Sequence, residues 1–338
     1  MPTLLNRQVR LKSRPAGIPQ AEHFEIVSTP VAELLPGQIL VRNVYLSVEP
    51  AMRGWVGAIA NYSEPVAIGA VMRSFTAGRV EASRDPAFPV GTKVTGLFGW
   101  QDYAVVEATG IDRRIDETDL PLSTALGVMG INGVTAHYGL LELGQPKAGE
   151  TVVVSTAAGA VGSCVGQIAT LLGCRTVGIT GGDTKRALCL DKFGYDAAVD
   201  YKAGDFTDQL AEACSGGVDV YYDNTAGDIS DAVMAHLNVG ARIIICGTAS
   251  VASWSPAPQG PRVERHLLVR RARMQGFVIF DHADRFPAAR RELAQWLRDG
   301  RLVYQEDVLD GIEHAPDAIA GLYRGENLGK RLIRIAAD

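Results

Sequence analysis

Apolar and polar positions change period once along this chain, and the change divides it. From Arg7 to about Val106, short runs alternate between apolar and polar and are broken at close intervals by glycine and proline. Residues 38–44 (QILVRNV) read as a strand after the Pro36-Gly37 turn, and residues 93–97 (KVTGL) as another after Val90-Gly91. A period of two with frequent turns predicts a compact, irregular, β-barrel-like unit.

From about Leu126 the pattern differs. Thr151-Val152-Val153-Val154-Ser155 is a β-branched run of the kind buried on both faces of a parallel sheet. A Gly/Ala-rich stretch follows, then Val165, Ile168, Ala169 and Leu172 at helical spacing up to Gly173. Residues 175–180, 197–200, 218–222 and 242–246 read as further strands, with helical stretches between most of them. One such stretch, 185–193, stops at Gly194. This βαβαβ alternation predicts an α/β doubly wound parallel sheet with helices on both faces. Leu293, Trp296 and Leu297 mark a later helix ending at Gly300, and residues 303–308 and 331–335 are strand-like again, so the tail is expected to return to the first domain. The expected division is 1–128 with 300–338, and 129–299.

The 338 residues suffice for two domains, and 47% hydrophobic with 21% charged residues is the composition of a globular chain with a sizeable core. The net charge of −5 gives no field for nucleic acid or an anionic membrane, so an anionic cofactor needs a local cationic site. The first 14 residues hold four cations but no apolar run of signal-peptide length, and no segment approaches membrane-spanning length, which points to the cytoplasm. Five cysteines, Cys164, Cys174, Cys189, Cys214 and Cys246, are odd in number and widely spaced, which argues against a disulfide framework or a four-cysteine zinc lobe. His23, His137, His236, His266, His282 and His314 are scattered and read as surface or packing residues.

Ala157-Ala158-Gly159-Ala160-Val161-Gly162 lies between the first strand and first helix of the βαβ unit, where a dinucleotide pyrophosphate binds. Small side chains let the backbone approach phosphates, and the helix N-terminus supplies N–H donors. Ala157 stands where the simple fingerprint has its first glycine, and a tight strand-to-helix turn is the plainer reading of the same residues. The second strand ends in Thr180-Gly181-Gly182 with no acid, and Lys185 and Arg186 follow. A neutral strand end with cations nearby suits a 2′-phosphate and therefore NADPH over NADH, although the same cations also read as a solvated helix start. Asp183 would repel a phosphate if it turned inward; it is expected to cap a helix beginning near Thr184.

Together with these, Tyr45-Leu46-Ser47-Val48-Glu49-Pro50-Ala51-Met52-Arg53-Gly54, Gly99-Trp100-Gln101-Asp102-Tyr103, Gly133-Val134-Thr135-Ala136, Asp200-Tyr201-Lys202, Tyr222-Asp223-Asn224, Gln275-Gly276-Phe277-Val278 and Asn327-Leu328-Gly329-Lys330 occur in one order along almost the whole chain. In these motifs the sequence resembles the zinc-independent medium-chain dehydrogenases/reductases of the prostaglandin reductase and curcumin reductase type, the alkenal double-bond reductases. The resemblance implies a GroES-like β-barrel catalytic domain, a Rossmann NADP-binding domain and a homodimer, for which residues 273–280 offer an edge strand. It implies that Gly159, Ala160, Val161 and Gly162 hold the pyrophosphate, that Gly181, Lys185 and Tyr201 meet the 2′-phosphate end, and that Asn224, Cys246 and Gly247 line the ribose and nicotinamide path. It also places Phe277 and Val278 by the nicotinamide, with Thr135 and Asn327 closing over the cofactor. Taken singly, Asn224 also reads as a turn residue and Phe277-Val278 as a buried strand.

The zinc enzymes of this superfamily need Cys and His ligands in the catalytic domain, whereas here no cysteine precedes Cys164 and His23 is the only histidine before His137; no metal site is expected. The implied reaction is metal-free hydride transfer to the β-carbon of an enone or alkenal, the carbonyl taking the electrons as an enolate. Tyr62 matches a family tyrosine and is the candidate proton donor, with a pocket-wall role as the alternative; Ser253, the cofactor ribose or water are the substitutes. The chain departs from the family at Ala51 and in residues 248–254, where relatives carry tyrosines; Trp254 would refill part of the space. An NADPH quinone oxidoreductase, or a catalytically silent NADPH-binding protein, are the competing readings.

Overall fold

The computed structural model describes residues 4–58, 62–251 and 258–338. Two compact units are present, Met1–Gly127 with Glu306–Asp338, and Val128–Gln305.

In the first unit β1 (Leu5–Leu11) and β2 (Phe24–Pro30) pair antiparallel. The spine of the larger sheet is β3 (Gln38–Ser47), which runs three residues beyond the expected 38–44 because Leu46 and Ser47 are still fully buried. Along one side of β3 lies β4 (Thr76–Ser83), followed outward by β5 (Lys93–Gly96); on the other side β6 (Tyr103–Glu107) covers its first half, and β7 (Ile111–Arg114) joins β5. Register shifts at Leu40/Val41 and Asn43/Tyr45 bend the sheet. Ile39, Val41, Val80, Val94 and Ala104 fill its interior, as the period of two requires.

In the second unit β8 (Thr151–Ser155), β9 (Arg175–Thr180), β10 (Ala197–Asp200), β11 (Val218–Asp223), β12 (Leu237–Ile245) and β13 (Arg273–Gly276) form a wholly parallel sheet in the order β10-β9-β8-β11-β12-β13. That is the doubly wound Rossmann order, reversing at β8/β11. Val153, Val177, Tyr221 and Ile243 pack on Leu210, Val233 and Leu267 of the covering helices. The stretch expected as one helix over 185–193 begins earlier, at Asp183, and is α-helical only to Ala187; a wider turn, closed by Phe193 N–H donating to Leu188 O (3.1 Å), completes it. Asp183 is therefore inside the first helical turn and does not cap it; Gly182, at φ +84°, holds the cap position.

The chain then returns to the first unit as β14 (Glu306–Asp310) and β15 (Lys330–Arg334), parallel to each other, with β15 antiparallel to the end of β3. The strand expected to start at Val303 starts at Glu306, because Val303 is held through both its backbone N–H and C=O by the Gln167 side chain (2.8 and 2.9 Å). Among the described residues no helix is long and apolar enough to cross a membrane.

Candidate functional site

In the second unit the carboxyl ends of β8, β11 and β12 are joined by one polar hub. Asp223, fully buried at the end of β11, accepts six hydrogen bonds: on Oδ1 from Ser155 Oγ, Tyr221 Oη, Thr225 N and Oγ1 and Ala226 N (2.9–3.3 Å), and on Oδ2 from Ser230 Oγ (2.7 Å). Its backbone carbonyl accepts from Cys246 N (2.8 Å) and Gly247 N (3.1 Å), past the end of β12. Asn224 is fastened to β8 by its N–H to Ser155 Oγ (2.8 Å) and its Nδ2 to Ser155 O (2.7 Å). Thus Asn224, Cys246 and Gly247 sit side by side at the strand ends, where ligands bind in open α/β sheets.

Between β8 and the helix Ala160–Leu171 the loop turns tightly. Thr156 adopts φ +55°, a strained value for a β-branched residue, and Gly159 N–H donates to its carbonyl (2.9 Å). A Cβ on Gly162 would lie 2.3 Å from that same carbonyl oxygen, so only glycine fits. Gly159 is the N-cap and brings no side-chain cap, which leaves the first-turn amides of Ala160, Val161 and Gly162 without a side-chain acceptor.

A cationic corner forms where β9 and β10 end. Tyr201 N–H donates to Thr180 O (3.0 Å), and a Cβ on Gly181 would meet the Tyr201 ring at 2.9 Å and Lys202 Cε at 3.0 Å. Lys202 Nζ lies 5.9 Å from the Tyr201 ring centre, and Lys185 and Arg186 are half-buried nearby in the following helix. Asp183 points outward, its side chain 95% exposed and paired with Arg186 (3.3 Å), so it does not oppose an anion here. Lys202 is a residue the sequence reading quoted without assigning it a role; its signal was its place one step past a strand-end tyrosine.

At the same carboxyl ends, fully buried Tyr222 donates its hydroxyl to Thr135 O (2.8 Å) and contacts the half-buried Cys246, whose thiol desolvation pushes up to about 12. Gly139 leaves room for both Tyr222 and Phe277, and Phe277 lies 5.7 Å from the Tyr138 ring. Phe277 and Val278 are half-buried and follow β13 instead of forming a buried strand. The second unit therefore gathers Thr135, Gly159, Ala160, Val161, Gly162, Asn224, Cys246, Gly247 and Phe277 around adjacent strand ends, with Gly181, Lys185 and Tyr201 at the β9/β10 corner.

Tyr62 and Asn327 belong to the first unit. Tyr62 is half exposed and acts electrostatically on Tyr323, whose hydroxyl burial pushes above the usual phenol range while Arg53 pulls it back. Arg53 stacks over the Tyr323 ring at 4.9 Å, and Tyr323 donates to Pro50 O (3.0 Å). The sequence reading missed Tyr323, which lies within the C-terminal helix Ala315–Arg324 and carries no local signature. Asn327 Nδ2 closes a short turn on Gly329 O (2.8 Å). Asn61, Ala252, Ser253 and Trp254 lie outside the described residues.

These features fit a phosphorylated dinucleotide: uncapped amides at a glycine-tight turn for the diphosphate, and a corner holding Lys185, Arg186 and Lys202 for a 2′-phosphate, with Asp183 turned outward and Asp200 Oδ1 occupied by the Lys202 N–H (2.9 Å). Among the described residues no group of three His, Cys, Asp or Glu side chains could hold a metal ion. Such a fold and site define a dinucleotide-dependent oxidoreductase. Residues 7–113 match a family described as the N-terminal domain of oxidoreductases, and residues 160–295 one described as zinc-binding dehydrogenase. The NADPH-dependent curcumin reductase of Escherichia coli is 43% identical, covering 98% of each chain, and the NADP(+)-dependent 2-alkenal reductase of Nicotiana tabacum is 36% identical, again covering 98% of each. The crystal structure of CurA in complex with NADPH from Vibrio vulnificus is 44% identical, with a TM-score of 0.93 over 98% of this chain and 100% of that one. The chain belongs to the medium-chain dehydrogenases/reductases, in the group of the curcumin, alkenal and prostaglandin reductases.

Proposed function

We propose that this protein uses NADPH to reduce the C=C bond of α,β-unsaturated carbonyl compounds, enones and alkenals. The observation that carries this reading is the pairing, at one end of one parallel sheet, of an uncapped glycine-tight helix start with a corner bearing Lys185, Arg186 and Lys202, where Asp183 is turned outward. The substrate class comes from the relatives' names, curcumin reductase and 2-alkenal reductase.

When bound, NADPH supplies the hydride that adds to the substrate's β-carbon. The amides of Ala160, Val161 and Gly162 hold the diphosphate, and Lys185, Lys202 and the Tyr201 ring take the 2′-phosphate. Asn224, Cys246 and Gly247 line the ribose and nicotinamide path with Thr135, Phe277 and Val278. Cys246, half-buried against the Tyr222 hydroxyl and with its thiol pushed up to about 12 by desolvation, serves as a wall of this path. Tyr62 hands a proton to the α-carbon as the enolate collapses.

The test is NADPH oxidation with a panel of enones, alkenals, quinones and saturated ketones. Turnover of enones and alkenals is the expected result. Turnover of quinones alone would favour a quinone oxidoreductase, tight NADPH binding without any turnover a silent binding protein, and turnover of saturated ketones or alcohols alone would overturn the scheme. The reading includes a homodimer. Among the described strands β13 ends the sheet order, with Arg273, Gln275 and Gly276 exposed and Phe280 43% exposed just beyond. A monomer mass by light scattering refutes this part.

A further inference from the structure

The first unit contains a buried cation whose bonded partners all come from one turn. Lys330, 4% exposed, donates from Nζ to Ser47 Oγ (2.6 Å), Val48 O (3.0 Å) and Glu49 Oε1 (2.6 Å). Ser47 Oγ in turn donates to Glu49 Oε1 (2.7 Å), closing the triangle. Glu49 is 6% exposed, and Glu306 lies opposite Lys330 in the β14–β15 register. Trp100 Nε1 and Ser74 Oγ both donate to Ser47 O (3.0 and 2.8 Å), so the start of the turn is gripped as well.

A buried ion pair of this kind contributes little net stability over apolar side chains of equal volume. What it supplies is placement. Three directional bonds from one ammonium admit a single position for residues 47–50. Everything downstream hangs on that position. Met52 N–H bonds Glu49 O (3.1 Å) and Arg53 N–H bonds Pro50 O (3.2 Å), which starts the helix Met52–Trp55. Pro50 O also receives the Tyr323 hydroxyl, Arg53 covers the Tyr323 ring, and Val66 N–H, four residues after Tyr62, bonds Trp55 O (2.8 Å).

We propose that Lys330, through its buried pair with Glu49 and its bond to Ser47, is a positioning residue that sets residues 47–50 and thereby the Arg53, Tyr62 and Tyr323 side chains of the first unit. This inference rests on the reading of the protein as an enone reductase with Tyr62 as proton donor.

The experiment compares the wild type with Lys330→Met and with the double variant Lys330→Met/Glu49→Leu. The single variant leaves the buried Glu49 carboxylate unpaired and takes from Glu306 the cation opposite it, and is expected to melt well below the wild type; the double variant removes the Glu49 charge as well and is expected to regain most of the lost Tm. Positioning predicts that kcat with an enone stays down about 10²-fold in the double variant despite its restored Tm. NADPH Kd should move by less than about threefold, because the phosphates are held by the other unit. A double variant that recovers both Tm and wild-type kcat overturns the proposal, since the pair would then serve stability alone. So does a folded single variant with unchanged kcat. Wild-type protein that reduces no enone would refute the functional reading instead. The proposal is then decided by the 15N-indole resonances of Trp55 and Trp100: displacement of both in the double variant, with Trp296 unmoved, supports it, and unchanged resonances overturn it.

Discussion

Removing the Asp223 carboxylate is the sharpest test of how the strand ends are organised. In Asp223→Ala the three donors least able to turn elsewhere are Thr225 N–H, Ala226 N–H and the Tyr221 hydroxyl, all directed at Oδ1 from buried or half-buried positions. Each unsatisfied buried donor costs about 1–3 kcal/mol, and a water entering the vacated space recovers part of that, so the expected loss is about 3–5 kcal/mol. Asp223→Asn separates geometry from charge. Its amide oxygen can keep the Oδ1 contacts, and its NH2 replaces Oδ2 against Ser230 Oγ, a hydroxyl that can turn to accept. Only the charge assistance is lost, so about 1–2 kcal/mol is expected. Urea denaturation with an unchanged m-value gives both numbers. Because the Asp223 backbone also holds Cys246 and Gly247, and Asn224 follows it, NADPH Kd should rise about tenfold or more in Asp223→Ala and much less in Asp223→Asn. If Asp223→Ala lost under about 1 kcal/mol, or if both variants lost equal amounts, the hub would not be what sets these strand ends.

Two further outcomes follow from the same geometry. Lys185→Ala should raise the NADPH KM by about 10–100-fold, the worth of one charge-assisted hydrogen bond, and leave the NADH KM nearly unchanged; equal effects on both would remove Lys185 from the 2′-phosphate site. Burial pushes Cys164, Cys189 and Cys246 up to about 12 and Cys214 to about 11, so thiolate is a minor form at every ordinary pH. Alkylation of the folded protein by iodoacetamide at pH 8, followed by mass spectrometry, should be at least about 10²-fold slower at Cys164, Cys189 and Cys214 than in the urea-unfolded chain, because burial both hides and protonates these thiols. Equal rates at any of these three positions would contradict the burial.

What the sequence alone determined about this protein is its local periodicity and punctuation. The runs 151–155, 175–180 and 197–200 are strands at the residues expected, because β-branched composition and flanking glycines act within a few residues. The tight turn of small residues between β8 and the helix Ala160–Leu171 was legible for the same reason: a run of small residues between a strand and a helix is a contiguous signal. Only the tertiary structure decided which separated residues share an environment. Lys330 and Glu49 are 281 positions apart, and nothing near either foretells a buried bond between them. Asp223 reads in sequence as an ordinary strand-end acid, and only its burial against Ser155 and Ser230 makes it a hub. Lys202 joins the phosphate corner because β10 ends level with β9, a register that neither strand encodes alone. Asp183 was misplaced by one step because a glycine's positive φ, and not the capping preference of an acid, starts that helix. Pattern acts along the chain and selects elements; burial and charge pairing act across it and select the chemistry of the site.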